Sequence, residues 1–168
     1  MKKILLLSDT HSHLDDAMLR HAEWADEIWH AGDWGAFEVY EKLAALRMVR
    51  GVYGNIDGQD IRSTNPEHRR FMCEDVEVYI THIGGYPGHY HHTIKTTLER
   101  RPPKLFICGH SHILKIIRDP KLGLLHMNPG AAGISGFHQM RTMLRFELHQ
   151  GKILNPAVIE LGLRAKGS

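Results

Sequence analysis

The sequence predicts an α/β fold with a strand-rich C-terminal half, most simply built on two packed sheets. Three observations carry that expectation. Short apolar runs alternate with amphipathic stretches through the first half, the βαβαβ rhythm of a mainly parallel sheet. Beyond Cys108 the pattern changes to pairs of apolar runs flanking turns. Polar residues able to bind a metal recur where strand-like runs end.

Lys3 to Ser8 is a continuous apolar run of strand length, as expected for a strand covered on both faces. Asp15-Asp16 open a helix through Glu23, Glu27 to His30 is a short strand, and Ala36 to Leu46 has helical periodicity. Val49 to Tyr53 is the third strand, and Asn55 to Pro66 reads as a polar loop. Phe71 to Thr81 holds two strands, the second from Val76. Gly84 to Gly88 is loop, and Thr93 to Arg101 is helix, stopped by Pro102-Pro103. Leu105 to Cys108 is strand. Ile113 to Arg118 and Leu124 to Met127 flank Asp119-Pro120-Lys121-Leu122-Gly123, whose Pro and Gly favour a turn. Thr142 to Leu148 and Lys152 to Glu160 flank His149-Gln150-Gly151 in the same way. With no linker and no repeat, residues 1–168 read as one domain, long enough for a substantial core.

Bulk properties exclude more than they assert. A net charge of +2 gives no electrostatic case for nucleic acid or an anionic membrane. The apolar run after Lys2-Lys3 stops at Ser8-Asp9, shorter than a signal-peptide core, and no segment has the roughly 18 apolar residues of a membrane helix. Cys73 and Cys108 sit in apolar stretches, as free thiols in a reducing compartment do. A cytoplasmic protein with no membrane partner is expected, and a homo-oligomer is compatible with the sequence.

Six short motifs carry the chemistry: Asp9-Thr10-His11, Gly32-Asp33, Gly54-Asn55, Thr81-His82, Gly109-His110-Ser111-His112 and Asn128-Pro129-Gly130. Asp9, Asp33, Asn55, His82 and His110 each fall at or just after the end of a strand-like run. In open α/β sheets that carboxyl edge is where ligands bind. Buried core histidines would not share this position. Imidazole, carboxylate and amide oxygen together suit manganese, iron, zinc, nickel or cobalt better than magnesium or calcium. Without thiolate ligands, a structural zinc site is disfavoured. Seven candidate ligands exceed the need of one ion. Two ions about 3.5–4 Å apart, sharing a carboxylate and a hydroxide nucleophile, would use them all. Four positive charges against two carboxylates and a hydroxide leave a net positive core, which favours a small phosphate ester as substrate.

In this order the motifs resemble the calcineurin-like metallophosphoesterase superfamily, and Gly54-Asn55-Ile56-Asp57 with Asn128-Pro129-Gly130 resembles its small YfcE-like phosphodiesterase branch. The resemblance spans about residues 1 to 160. It implies two packed mixed β-sheets flanked by helices, a four-layer sandwich with metals at the strand ends. It implies that Asp9, His11, Asp33 and His112 hold one ion and that Asp33, Asn55, His82 and His110 hold the other, with Asp33 bridging. Strand spacing alone would place His110 and His112 on the same ion. A phosphodiesterase is the implied activity, with manganese the first-choice ion. A phosphomonoesterase for nucleotides or sugar phosphates is the alternative. Some relatives of this fold are protein-binding scaffolds of trafficking coats that have lost metal ligands, whereas all seven positions are filled here.

The family pattern is broken at Ile56, where many members carry a histidine thought to assist the leaving group. Isoleucine donates no proton, so the roughly 10²–10⁴-fold benefit of an acid there is lost. Asp57, which often supports that histidine, is left without an evident role. Ser12 and Ala131 are smaller departures. Trp34, beside the bridging aspartate, is a candidate wall for an aromatic leaving group, along with Asn55 and His82 as substrate contacts; packing against a neighbouring loop explains Trp34 equally well. His13, His89, His91 and His92 read as exposed loop residues, with the rim of the pocket as the alternative, and His138 shares that ambiguity. His21, His30, His68, His126 and His149 read as surface or core residues. Gly54, Gly109 and Gly130 read as tight-turn glycines, and Asn128-Pro129 as a loop brace that does not touch metal.

Overall fold

A computed structural model describes residues 1–164. The run after Met1 forms β1 (Lys2–Leu7), followed by α1 (Asp16–Trp24), β2 (Glu27–His30), α2 (Phe37–Leu46) and β3 (Met48–Gly51). Next come α3 (Gln59–Thr64), β4 (His68–Cys73), β5 (Val76–Thr81) and a two-residue ladder of β6 (Gly85–Tyr86) with β7 (His89–Tyr90). The remainder is α4 (His92–Arg100), β8 (Leu105–Ile107), β9 (Lys115–Asp119), β10 (Leu124–Asn128), β11 (Met140–His149) and β12 (Lys152–Leu163). No helix among the described residues is long and apolar enough to cross a membrane.

Two five-stranded mixed sheets form, in the orders β12-β11-β1-β2-β3 and β4-β5-β8-β10-β9. In the first, β1, β2 and β3 are parallel, β11 is antiparallel to β1, and β12 is antiparallel to β11. In the second, β5, β8 and β10 are parallel and the edge strands β4 and β9 are antiparallel. Six strands thus lie in parallel sets, and each of the six motifs follows or ends one of them.

The continuous apolar run of β1 is explained by burial on both faces. Its even members Ile4 and Leu6 enter the core between the sheets, with Trp29, Val78, Ile80, Ile107 and Phe146. Its odd members Leu5 and Leu7 face the other way, against Met18 and Ala22 of α1, Val39 and Leu43 of α2, and Ile61 of α3. A third cluster joins Tyr79 and Phe106 of the second sheet to Ile94 and Leu98 of α4. Side chains alternate across a strand, so one sequence run serves two cores.

The segment read as a polar loop contains α3. With six residues and one buried apolar side chain, Ile61, it offers no helical period to detect, and Gly58 caps it without a side-chain bond. The loop read at Gly84 to Gly88 contributes one strand of the β6–β7 ladder. Elsewhere, element limits move by a few residues: β3 ends at Gly51, although the Val52 amide still donates to the His30 carbonyl.

Helix α1 begins as the sequence indicates. The Asp15 carboxylate accepts from the Met18 amide at 3.0 Å and pairs with Arg141 of β11 at 2.7 Å. Burial opposes its ionisation, yet the Met18 amide, Arg141 and His13 hold its carboxyl down at about 2. A depressed folded value means stabilisation present above the unfolded value and lost as pH falls through the folded one. Asp15→Ala should therefore cost about 1–2 kcal/mol near neutral pH, the loss expected for a helix cap. The gap between the two proteins' thermal midpoints should narrow as acid is added through pH 3.8 toward about 2. A gap independent of pH would show that Asp15 acts by packing alone.

Candidate metal centre

The six motif loops meet at one edge of the two sheets. Asp9, His11 and His112 present one ligand atom each within 4.8 Å of one another, and Asp33, His82 and His110 form a second such group. The groups adjoin. Asp33 Oδ2 lies 3.2 Å from His82 Nε2 and 3.5 Å from His11 Nε2, so one carboxylate reaches both. Asp9 Oδ1 lies 3.2 Å from His112 Nε2 and 3.8 Å from the Nε2 atoms of His11 and His82. Asn55 Oδ1 stands 3.1 Å from His110 Nδ1. His110 and His112 fall into different groups, as the resemblance implies and contrary to strand spacing alone.

The reason is local backbone. Asp9, His11, Asp33, His110 and His112 all have φ between 44° and 70°. L-residues favour the left-handed region only at a cost of roughly 1–2 kcal/mol each. His110 and His112 are consequently not strand neighbours, and their side chains diverge to separate sites.

Neighbouring residues hold these turns. The Asp57 carboxylate accepts three amides: Oδ2 from Asp33 at 3.0 Å and Gly54 at 2.8 Å, and Oδ1 from Gly35 at 3.0 Å. It ties the loop after β2 to the loop after β3. Ser8 Oγ donates to Asp9 Oδ2 at 2.6 Å, and the His110 amide donates to the same oxygen at 3.1 Å. His82 Nδ1 donates to the Ala31 carbonyl at 2.6 Å, which turns Nε2 toward Asp33. Asn128 braces the fifth motif: Nδ2 donates to the Gly109 carbonyl and to Ser111 Oγ, while Oδ1 accepts from the Gly130 amide.

Gly54 and Gly109 are required by close approach rather than by turn geometry. A Cβ at Gly54 would overlap the Asp33 carboxylate, and one at Gly109 would overlap the Ser8 hydroxyl and crowd Asp9. Gly130, at φ 73°, is a true positive-φ turn.

Charge is concentrated here. Burial alone would raise the Asp9 carboxyl, but the imidazoles of His11, His112 and His82 and the Ser8 hydroxyl outweigh it and hold it well below the usual range. Asp33 behaves likewise, with His11 and His82 as the main counterweights to burial. The Asp33 and Asp9 carboxylates in turn raise His11 to about 9. His82 rises as well, Asp33 and Asp9 overcoming burial, while His110 is lowered by burial and by the neighbouring His82.

Asp9 Oδ1, His11 Nε2 and His82 Nε2 are buried with no hydrogen-bond partner. Buried polar atoms are nearly always paired. Three unpaired ligand atoms of the right chemistry, converging on two small groups, fit divalent cations of the nitrogen- and oxygen-loving kind.

Trp34 requires a correction. It is fully buried, its Nε1 donates to the Val52 carbonyl at 2.8 Å, and its ring stacks on His30 at 3.7 Å. The left-handed turn at Asp33 sends Trp34 inward, so it offers no wall to a substrate. Asn55 and His82 do line a cavity of about 250 Å³, with His91 on another part of its wall. His91 also caps α4, His89 belongs to β7, and His92 begins α4 exposed. His13 pairs with Asp15.

Two further histidines brace the site in ways the sequence does not specify. His30, a surface or core residue on sequence alone, is fully buried and held neutral, pushed down by burial to about 3, so that Nδ1 accepts from the Gly32 amide and Nε2 meets Thr10. His138 donates from Nε2 to the Gly133 carbonyl and sets its ring edge-on to His112 at 5.2 Å. Its place at the carboxyl end of β2, two residues before Gly32-Asp33, was the available signal for His30.

The chain belongs to the calcineurin-like phosphoesterase superfamily, whose domain matches residues 1–151. Comparison with curated proteins gives no match. Among solved structures it is similar to an archaeal phosphodiesterase at 21% identity and TM-score 0.71, covering 94% of this chain and 99% of that one. It is also similar to Vps29 from Entamoeba histolytica in complex with Zn²⁺, at 15% identity and TM-score 0.74, covering 94% and 98% of the two chains. A Streptococcus pneumoniae protein described as a predicted phosphoesterase shares 18% identity, with TM-score 0.64 and coverage of 95% and 97%. At these identities the likeness is one of fold.

The Asp57 clamp yields a prediction that alters no candidate ligand. Asp57→Asn keeps one acceptor oxygen for three amides, leaving at least one buried donor unpaired at a cost of about 1–3 kcal/mol. A lower thermal midpoint and weaker manganese uptake in calorimetric titration are expected. Unchanged uptake would show that the clamp does not set ligand geometry.

Proposed function

We propose that this protein is a metal-dependent phosphoesterase acting on phosphodiesters. The observation that carries the reading is the set of orphaned, buried ligand atoms, Asp9 Oδ1, His11 Nε2 and His82 Nε2, facing one another at the strand ends. Asp9, His11 and His112 would hold one divalent cation; Asp33, Asn55, His82 and His110 would hold the other, with Asp33 shared. Manganese is the proposed ion, and nickel, cobalt, zinc and iron suit the same donors. When bound, such ions supply positive charge for phosphoryl oxygens and acidify water for attack at phosphorus.

The chain's own residues prepare that chemistry. Two carboxylates leave excess positive charge on a pair of divalent ions, and the neutral amide of Asn55 adds a ligand without cancelling it. The Ala31 carbonyl fixes the His82 tautomer, so that Nε2 remains available as a donor. The Ile56 amide donates to Asp33 Oδ1 at 3.1 Å, orienting the shared carboxylate. The Ile56 side chain is 47% exposed at the site and offers no proton. Esters with good leaving groups are therefore the preferred substrates. The buried thiols Cys73 and Cys108 support a reducing, cytoplasmic setting.

Removing the shared ligand is the direct test. Asp33→Ala should abolish hydrolysis of an activated aryl phosphodiester and most manganese uptake, measured by elemental analysis and single-substrate kinetics. Full activity in that variant would end the two-ion reading. A native protein that neither carries transition metal nor hydrolyses phosphate esters with added manganese would instead be a binding scaffold.

The leaving-group restriction is tested in the opposite direction. Ile56→His should speed hydrolysis of poor-leaving-group phosphomonoesters by up to about 10²-fold, with little gain for aryl diesters. No gain at matched metal occupancy would show that this position does not limit the reaction.

A further inference from the structure

The cavity beside Asn55 and His82 has a wall that phosphoryl binding at the metals would not use. Arg62 of α3 lines it. Two contacts hold the guanidinium in place. Nε donates to the Asp57 carbonyl at 2.7 Å, and Cζ lies 4.3 Å from the centroid of the Tyr53 ring. Neither terminal nitrogen has a hydrogen-bond or ion-pair partner among the described residues. An arginine anchored by its Nε and one face has already lost much of its side-chain freedom. What remains is a preorganised pair of donors.

Its anchor matters as much as its freedom. The carbonyl that Arg62 grips belongs to Asp57, whose carboxylate holds the amides of Asp33 and Gly54. One residue therefore registers this cation against the loops that carry Asp33 and Asn55. Glu67 is the acidic residue on the cavity wall. It accepts from the Tyr53 hydroxyl at 3.2 Å and lies 3.6 Å from His68 Nε2, and among the described residues it makes no ion pair with Arg62.

We propose that Arg62 recognises a second oxyanion, a carboxylate or phosphate, on the organic arm of a substrate whose scissile phosphate sits at the metal centre. The inference rests on the phosphoesterase reading above and names its substrate class. A planar guanidinium with two free nitrogens matches an oxyanion through paired charge-assisted bonds. A neutral arm would leave those donors in water and gain nothing from them. Arg62 is a specificity residue in this account, remote from the reacting atoms.

Titration calorimetry of the manganese-loaded protein tests it. The probes are alkylphosphonates, ω-carboxyalkylphosphonates and alkylene diphosphonates of matched short chain lengths. At the chain length that spans the cavity, a terminal anion should tighten binding about tenfold over the plain alkylphosphonate. Comparison of the carboxylate and diphosphonate series tells which anion is preferred. Arg62→Gln should erase that gain while leaving alkylphosphonate affinity unchanged, and Arg62→Lys should restore part of it. Failure of alkylphosphonates to bind the loaded native protein would overturn the phosphoesterase reading itself. If they bind but a terminal anion adds nothing at any length, the assignment of Arg62 is wrong. It is equally wrong if Arg62→Gln keeps the gain or weakens all probes alike.

Discussion

Two buried carboxylates, Asp9 and Asp33, are the constraint around which this molecule is arranged. Both lie within 3.8 Å of His11 Nε2, and both are nearly inaccessible to water. Burying one unpaired charge is costly, and burying two side by side is worse. The fold answers with imidazoles on every side and with donors to the outward oxygens: Ser8 and the His110 amide for Asp9, the Ile56 amide for Asp33. Those bonds occupy Asp9 Oδ2 and Asp33 Oδ1 and leave the inner oxygens facing the histidines. Divalent cations at the inner face would offset this charge better than protonated imidazoles, because each would bring two charges to a point that several candidate ligands share.

Such an arrangement needs loops that ordinary sequence preferences would not choose. Five of the candidate ligands adopt positive φ, and the opposing cost is spread through bonds that cross between loops. Asp57 is the clearest case. With no histidine at position 56 to support, its carboxylate still gathers three amides from two loops. Its role here is architectural and needs no histidine at position 56. His30 does similar work from beneath, its neutral ring joining the Gly32 amide to Thr10 while Trp34 stacks on it.

Much of this was legible in the sequence, because the periodicities and motifs are local. Ile4 to Leu7 announced a strand buried on both faces, and Asp15 announced the start of α1. The candidate ligands were legible because parallel strands deliver their carboxyl ends to one edge, so residues far apart in sequence meet there. Three features were not legible. Helix α3 has a single buried apolar residue and hence no period. Trp34 was open to two readings because sequence does not tell which way a side chain turns after a left-handed residue. His30 looked like any core histidine.

By itself the sequence determined the order of the main strands and of α1, α2 and α4, the two-sheet class and the seven candidate ligands, since each depends on residue type and short-range spacing. Tertiary structure decided the rest. It supplied the positive dihedrals that separate His110 from His112, turned Trp34 into the core and gave Asp57 its three amides. It also set the Arg62 guanidinium, held against Tyr53, on the cavity that Asn55 and His82 share. Those outcomes depend on backbone dihedrals and on contacts between loops from different strands, and neither is encoded in a window of neighbouring residues.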